Sequence, residues 1–165
     1  MIYIFSGPIE SGKTTKLEKW IKDRIDVSGI LMPVLDGIRH IYSINSEKFF
    51  PVEADKNEDP EKIINIGKYY FLKKLFDRGN EEIERATKSE KKIVIIDEIG
   101  PLELRGEGFS PGLKKVKDKF EGKEKILLLV IREGLVKEVT NHFHISEYVL
   151  ISSLSELNIF LNNRG

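Results

Sequence analysis

Apolar residues in this chain gather into short solid blocks separated by amphipathic stretches. Ile2-Tyr3-Ile4-Phe5, residues 93–96 (IVII), residues 126–131 (ILLLVI) and residues 148–151 are strand-length blocks with little polar alternation. That pattern belongs to parallel strands buried on both faces. Between the blocks, apolar positions recur at helical spacing. Leu17, Trp20, Ile21 and Ile25 predict a first helix, with Trp20 on its buried stripe. Further helices are expected over residues 72–88, 113–120, 133–140 and 155–161, the first of these broken at Gly79-Asn80 and the last capped by Ser153 or Ser155. Strand and helix alternate, so the expected fold is α/β in three layers around a mainly parallel central sheet.

Residues 30–52 have a different texture. The segments 30–35 (ILMPVL) and 38–44 (IRHIYSI) flank Asp36-Gly37, a strong signal for a tight hairpin turn, and a second turn at Asn45-Ser46 leads into 48–52. This reads as an antiparallel meander appended to the parallel sheet, with Pro33 and Pro51 on edge strands. Residues 53–60 are acidic and read as an exposed loop. Residues 63–71 (IINIGKYYF) fit a helix or a strand, and Gly67 favours a short strand.

Composition narrows the class. The chain has 165 residues, 40% apolar and 33% charged, with 27 basic and 27 acidic side chains. That is one domain, 1–165, with enough length for a core. Balanced charge gives no general affinity for nucleic acid or acidic membranes. Zero Cys rules out disulfides and thiolate metal sites. The first strand begins at Ile2, which leaves no room for a leader peptide, and no apolar run approaches the ~18 residues of a membrane span. The expected compartment is the cytoplasm. Lack of Cys and Gln beside abundant Lys, Glu and Ile points to a heat-adapted source. A protein partner is left open by the sequence.

Candidate chemistry starts directly after the first block. Gly7-Pro8-Ile9-Glu10-Ser11-Gly12-Lys13-Thr14, followed by Thr15, is Gly-x-x-x-x-Gly-Lys-Thr between a strand and a helix, the P-loop arrangement. Glycines let the backbone turn tightly and aim its N–H groups at phosphate oxygens. Lys13 is expected to reach the β- and γ-phosphates, the Thr14 hydroxyl to ligate Mg²⁺, and Thr15 to touch the α-phosphate. The positive end of the following helix adds to the anion site. The motif predicts a bound nucleoside triphosphate, ATP or GTP, with Mg²⁺.

Block 93–96 runs into Asp97-Glu98. A carboxylate at a strand tip can hold a Mg²⁺-bound water, sharing the metal with Thr14. The next carboxylate can polarise a water for in-line attack on the γ-phosphorus. Chains with this pair usually insert a strand between the P-loop strand and the Asp strand. Here the inserted strand would be 126–131, ending in Arg132. Arg132 therefore reads as a γ-phosphate sensor or cis arginine finger, or as a plain surface arginine at a strand end.

Asp97-Glu98-Ile99-Gly100-Pro101-Leu102-Glu103-Leu104 resembles the DEIGxMEL segment of the thermostable, cancer-related nucleoside-triphosphatase family. Gly67-Lys68-Tyr69 is similar to that family's Gly-x-Tyr segment, and the P-loop and Arg132 strand also match. The resemblance implies a Mg²⁺-dependent enzyme that hydrolyses several NTPs to NDPs, with Glu98, Lys13 and Arg132 catalytic and Thr14 and Asp97 at the metal. The chain departs from the family at Arg105-Gly106-Glu107-Gly108-Phe109, a mobile cover with Arg105 on phosphate or a plain surface loop. It departs again at Ser152-Ser153-Leu154-Ser155, which leaves base recognition open.

Other side chains carry less. His40, His142 and His144 lack metal-ligand company and read as surface residues. Tyr69, Tyr70 and Phe71 serve core packing or base stacking. The lysines at 114, 115, 117 and 119 form a solvated face. Beside hydrolysis stand a nucleotide or small-molecule kinase and a slow nucleotide-dependent switch; no Asn-Lys-x-Asp motif supports a GTPase of the usual switch type.

Overall fold

The computed structural model describes residues 1–163. Five parallel strands, running from one edge, make up most of an eight-stranded sheet ordered β10-β1-β9-β8-β2-β4-β3, with β5 paired to β4. In chain order these are β1 (Ile2–Gly7), β2 (Val27–Leu31), β3 (Val34–Leu35), β4 (Ile38–Ser43), β5 (Lys48–Pro51), β8 (Ile93–Ile99), β9 (Ile126–Arg132) and β10 (Val149–Ile151), while β6 (Ile63–Ile66) and β7 (Tyr69–Leu72) form a separate hairpin. The helices are α1 (Lys13–Ile21), α2 (Lys73–Lys88), α3 (Pro101–Leu104), α4 (Ser110–Val116), α5 (Val136–His142) and α6 (Leu154–Asn162).

Alternate side chains of the parallel strands feed two cores, as period-two geometry requires. Ile2, Ile4, Val94, Ile96, Leu127 and Leu129 pack under α2, α4 and α5 through residues such as Ile83, Leu113 and Val139. Tyr3, Phe5, Ile93, Ile95, Leu128 and Val130 pack on the other face under Leu17 of α1 and Leu157 of α6. The three-layer α/β expectation is met. Ser153 caps α6 through Glu156, a reciprocal capping box. Trp20 is only half-buried, and its indole donates to Asn158 of α6 at 2.9 Å.

Several expectations are corrected. Residues 27–31 form a central strand that begins ahead of the expected start at 30. It pairs parallel with β8 on one side and antiparallel with β4, through Ile30 and Leu31, on the other. The expected antiparallel meander through β4 and β5 stands but starts from a strand inside the parallel sheet. Gly29 concealed this strand. It sits at φ 113°, and a Cβ there would lie 2.1 Å from the Ile95 carbonyl oxygen, so β2 can approach β8 this closely only with glycine. Helix α1 ends at Ile21, and Ile25 is exposed at 87%.

Helix α2 runs unbroken through Gly79-Asn80. Gly79 is there for room, since a Cβ would come within 2.6 Å of the Phe109 ring. Asn80 faces inward, donating to Gly108 O at 3.0 Å and accepting from Gly112 N at 2.8 Å. Helix α4 starts three residues earlier than the apolar pattern implies and passes into a 3-10 turn at 117–119. Residues 63–72 form two strands, with Gly67 at φ 55° in the turn between them.

Candidate active site

The carboxyl ends of β1, β2, β8 and β9 lie side by side, the edge where open α/β sheets bind ligands. After β1 the chain turns through residues 8–12, with Glu10 at φ 56° and Gly12 at φ 72°, and enters α1 at Lys13. Lys13 curls back over this loop. Its ammonium donates to Gly7 O at 3.1 Å, Pro8 O at 2.7 Å and Ser11 Oγ at 3.2 Å. Partial burial lowers its pKa, and the negative charges of Glu98 and Asp97 oppose the shift.

Asp97 is fully buried and completely engaged. Its Oδ2 accepts from the Thr14 hydroxyl at 2.7 Å and from Met32 N at 3.0 Å, and its Oδ1 accepts from Glu98 N at 2.9 Å. Burial, and next the charge of Glu98, push its pKa up to about 6 against those three hydrogen bonds. The Thr14–Asp97 oxygen pair fits Mg²⁺, a hard cation that takes few protein ligands and fills its shell with phosphate and water. Among the described residues no cluster of three or more His, Cys, Asp or Glu could hold a metal alone.

Glu98 is aimed by strain. Between Ile96 and Ile99 strand β8 slips against β9, where Ile96 faces Leu129 but Ile99 faces Ile131. The extra residue is a β-bulge, a device that re-aims side chains next to active sites. At the bulge Glu98 adopts φ 61°, which costs a residue with a Cβ about 1–2 kcal/mol. Its carboxylate consequently leaves the sheet and meets the Arg39 guanidinium at 3.5 Å.

Arg132 ends β9, which does lie between β1 and β8, and its Cα partner across the ladder is Gly7, the first residue of the loop. Residues 9–15, Arg39, Glu98 and Arg132 line one cleft of about 380 Å³. Of the expected site residues Gly7, Pro8 and Asp97 do not line this cleft, but they adjoin it by accepting hydrogen bonds from Lys13 and Thr14. Arg105 does not join them; it bonds Glu107 and, at 3.1 Å, Asn65 O on the β6–β7 hairpin. His142 and His144 are exposed as expected, whereas His40 is half-buried on β4 with its Nδ1 2.8 Å from Ile38 O.

Two features escape a reading of motifs, and a third residue, Glu103 of the Asp97–Leu104 segment, serves the structure. Arg39 comes from β4 and contacts Glu98 with no sequence signature beyond a charge in an apolar strand. Met32 contributes a backbone N–H, which any residue would supply. Glu103 is 2% exposed and braces the turn after β8, accepting from Gly100 N at 2.8 Å and Phe109 N at 2.9 Å.

A phosphate-loop motif after β1, an acidic pair near the end of β8 and a strand inserted between β1 and β8 define a P-loop NTPase. The comparisons narrow that class. The profile of the family described as NTPase matches residues 2–159, and the chain belongs to that family. It is 34% identical to the nucleoside-triphosphatase THEP1 of Thermotoga sp. (strain RQ2) across 100% of its own length and 98% of that protein's. The THEP1 of Thermotoga maritima is also 34% identical, over 61% of this chain and 60% of that one. Among solved structures, THEP1 from the hyperthermophile Aquifex aeolicus superposes with a TM-score of 0.69 at 23% identity, covering 92% of this chain and 88% of that chain. A human cancer-related nucleoside triphosphatase gives 0.64 at 19% identity, covering 90% and 86%.

Proposed function

We propose that this protein is a Mg²⁺-dependent nucleoside-triphosphate phosphohydrolase of broad base specificity that works in the cytoplasm, where its substrates are made and used. One observation carries the reading: Glu98, turned out of β8 by a bulge and a left-handed backbone, lies in the same cleft as the phosphate loop and Thr14, whose hydroxyl donates to the buried Asp97.

The loop from Gly7 to Thr15 wraps the phosphates with backbone N–H groups, and α1 points its positive end at them. Lys13 exchanges its loop carbonyls for β- and γ-phosphate oxygens. Glu98 accepts a proton from water as the water oxygen bonds to the γ-phosphorus. The bond from that phosphorus to the bridging oxygen breaks, and its electron pair stays on the departing diphosphate, where Lys13 and the loop stabilise it. Arg132 neutralises charge on the γ-phosphoryl oxygens. Arg39 holds the Glu98 carboxylate in place and acts as a positioning residue. Mg²⁺, held by Thr14 and Asp97, would supply further charge neutralisation to the phosphates.

Phosphate release from ATP, GTP, CTP and UTP, each with Mg²⁺ or with a chelator, tests the proposal. Turnover of all four, lost on chelation, is the expected outcome. Turnover of one base alone, or turnover that survives chelation, contradicts it.

A further inference from the structure

The backbone at Glu98 is left-handed, and such a conformation persists only where the surroundings over-determine it. Two carboxylates grip this stretch of chain from opposite sides. Upstream, Asp97 Oδ1 accepts from Glu98 N at 2.9 Å. Downstream, Glu103 Oε2 accepts from Gly100 N at 2.8 Å, while Leu104 N donates to Gly100 O at 3.2 Å. Ile99, in between, is 1% exposed and pairs with Ile131 of β9. Asp97 and Ile99 are thus fixed inward, and Glu98 is left facing out.

Glu103 is itself anchored. Its second oxygen, Oε1, accepts from Phe109 N at 2.9 Å, and the buried Phe109 ring lies 5.1 Å from that of Phe76 on α2. Asn80 of α2 continues the series, donating to Gly108 O at 3.0 Å and accepting from Gly112 N at 2.8 Å. The packing leaves no slack. A Cβ at Gly108 would stand 2.2 Å from Glu103 Oε1. Residues 105–109 are therefore not a loose cover, since their inner end is built into the core. A buried carboxyl is a costly way to close a turn if only the fold is at stake. What it supplies, and an apolar side chain cannot, is a pair of acceptors aimed at two fixed N–H groups.

We infer that Glu103 is a positioning residue for hydrolysis: through Gly100 it fixes the turn that aims Glu98 at the attacking water, and through Phe109 it ties that aim to α2. The inference rests on the reading of Glu98 as the base. Glu103 does not line the phosphate cleft, and it touches neither the loop nor the Thr14–Asp97 pair. Its loss leaves nucleotide binding in place and misaims the base. A displacement of about 1 Å at a reacting group can lower a rate by about 10²-fold.

The test is a double-mutant cycle of Glu103→Gln and Glu98→Gln, read as kcat for phosphate release from Mg²⁺-ATP and as ATP affinity by calorimetry. The amide can accept from only one of the two N–H groups. Glu103→Gln should lower kcat about tenfold or more and keep affinity within about threefold of the parent. In the Glu98→Gln background, where no base is left to aim, it should change the residual rate by less than about twofold. Leu157→Ala destabilises the other core without touching this series, so its kcat should match the parent's. Glu103→Asp keeps the charge but is one methylene too short to span both groups, and it carries the same comparison if the amide variant does not fold. A folded variant with kcat within about threefold of the parent, or the same proportional loss in both backgrounds, overturns the inference. Parental turnover by Glu98→Gln would instead fail the reading of Glu98 as the base, and the inference with it.

Discussion

Glu98 and Arg132 reach the phosphate-loop cleft by different routes. Glu98 depends on a strained backbone, whereas Arg132 follows from strand order alone. Because β9 lies between β1 and β8, the Arg132 Cα pairs with Gly7, and its side chain enters the cleft without local distortion. A guanidinium that meets charge developing on the transferring group stabilises the transition state more than the bound substrate. Arg132→Ala should therefore lower kcat while nucleotide affinity changes little, and Arg132→Lys should recover little because a point charge lacks the planar fork. Steady-state phosphate release decides this. A kcat within about twofold of the parent for both variants, under ~0.5 kcal/mol of barrier, would make Arg132 a plain strand-end arginine.

At the scale of elements, the turn after β8 depends on Glu103. Burial raises its pKa from 4.5 to about 7, against hydrogen bonds from Phe109 and Gly100. The folded protein then holds a proton that the unfolded chain releases between those values, so this carboxyl's contribution to stability falls as pH rises from about 4.5 through about 7. Glu103→Gln cannot titrate, although its amide nitrogen faces a backbone N–H and costs about 1–3 kcal/mol at every pH. Melting temperatures across this range should show the parent losing stability relative to the variant as pH rises. Asp97 titrates in both proteins and cancels in the comparison. Parallel curves would contradict the raised pKa. Gly79 tests packing between elements. Alanine there gains helix propensity of about 1 kcal/mol but drives a Cβ into the Phe109 ring, an overpacking cost of about 1–3 kcal/mol. Gly79→Ala should shift the urea midpoint downward; an upward shift would show that Phe109 yields freely.

Across the whole molecule, what was legible in sequence is what local rules govern. Solid apolar blocks announced β1, β8 and β9, and the Gly-x-x-x-x-Gly-Lys-Thr and Asp-Glu motifs located the phosphate loop and the acidic pair, because each demands particular atoms at fixed spacing. Strand β2 was illegible since Ser28 and Gly29 interrupt its apolar run for a reason visible only in three dimensions, the close pass over Ile95. The same holds for Gly79-Asn80, which resembles a helix break until Phe109 and the α4 backbone come beside it. Arg39 was missed because its partner lies 59 residues away and follows no motif.

In the proposed mechanism these elements converge on one demand, that Glu98 take a proton from the attacking water. Glu98→Gln keeps the size and hydrogen-bonding reach of the side chain and removes its basicity. Phosphate release, with ATP affinity measured calorimetrically on the same variant, should show kcat lowered by roughly 10²-fold or more and affinity within about threefold of the parent. Hydrolysis at the parental rate by Glu98→Gln would contradict the account and place the base elsewhere.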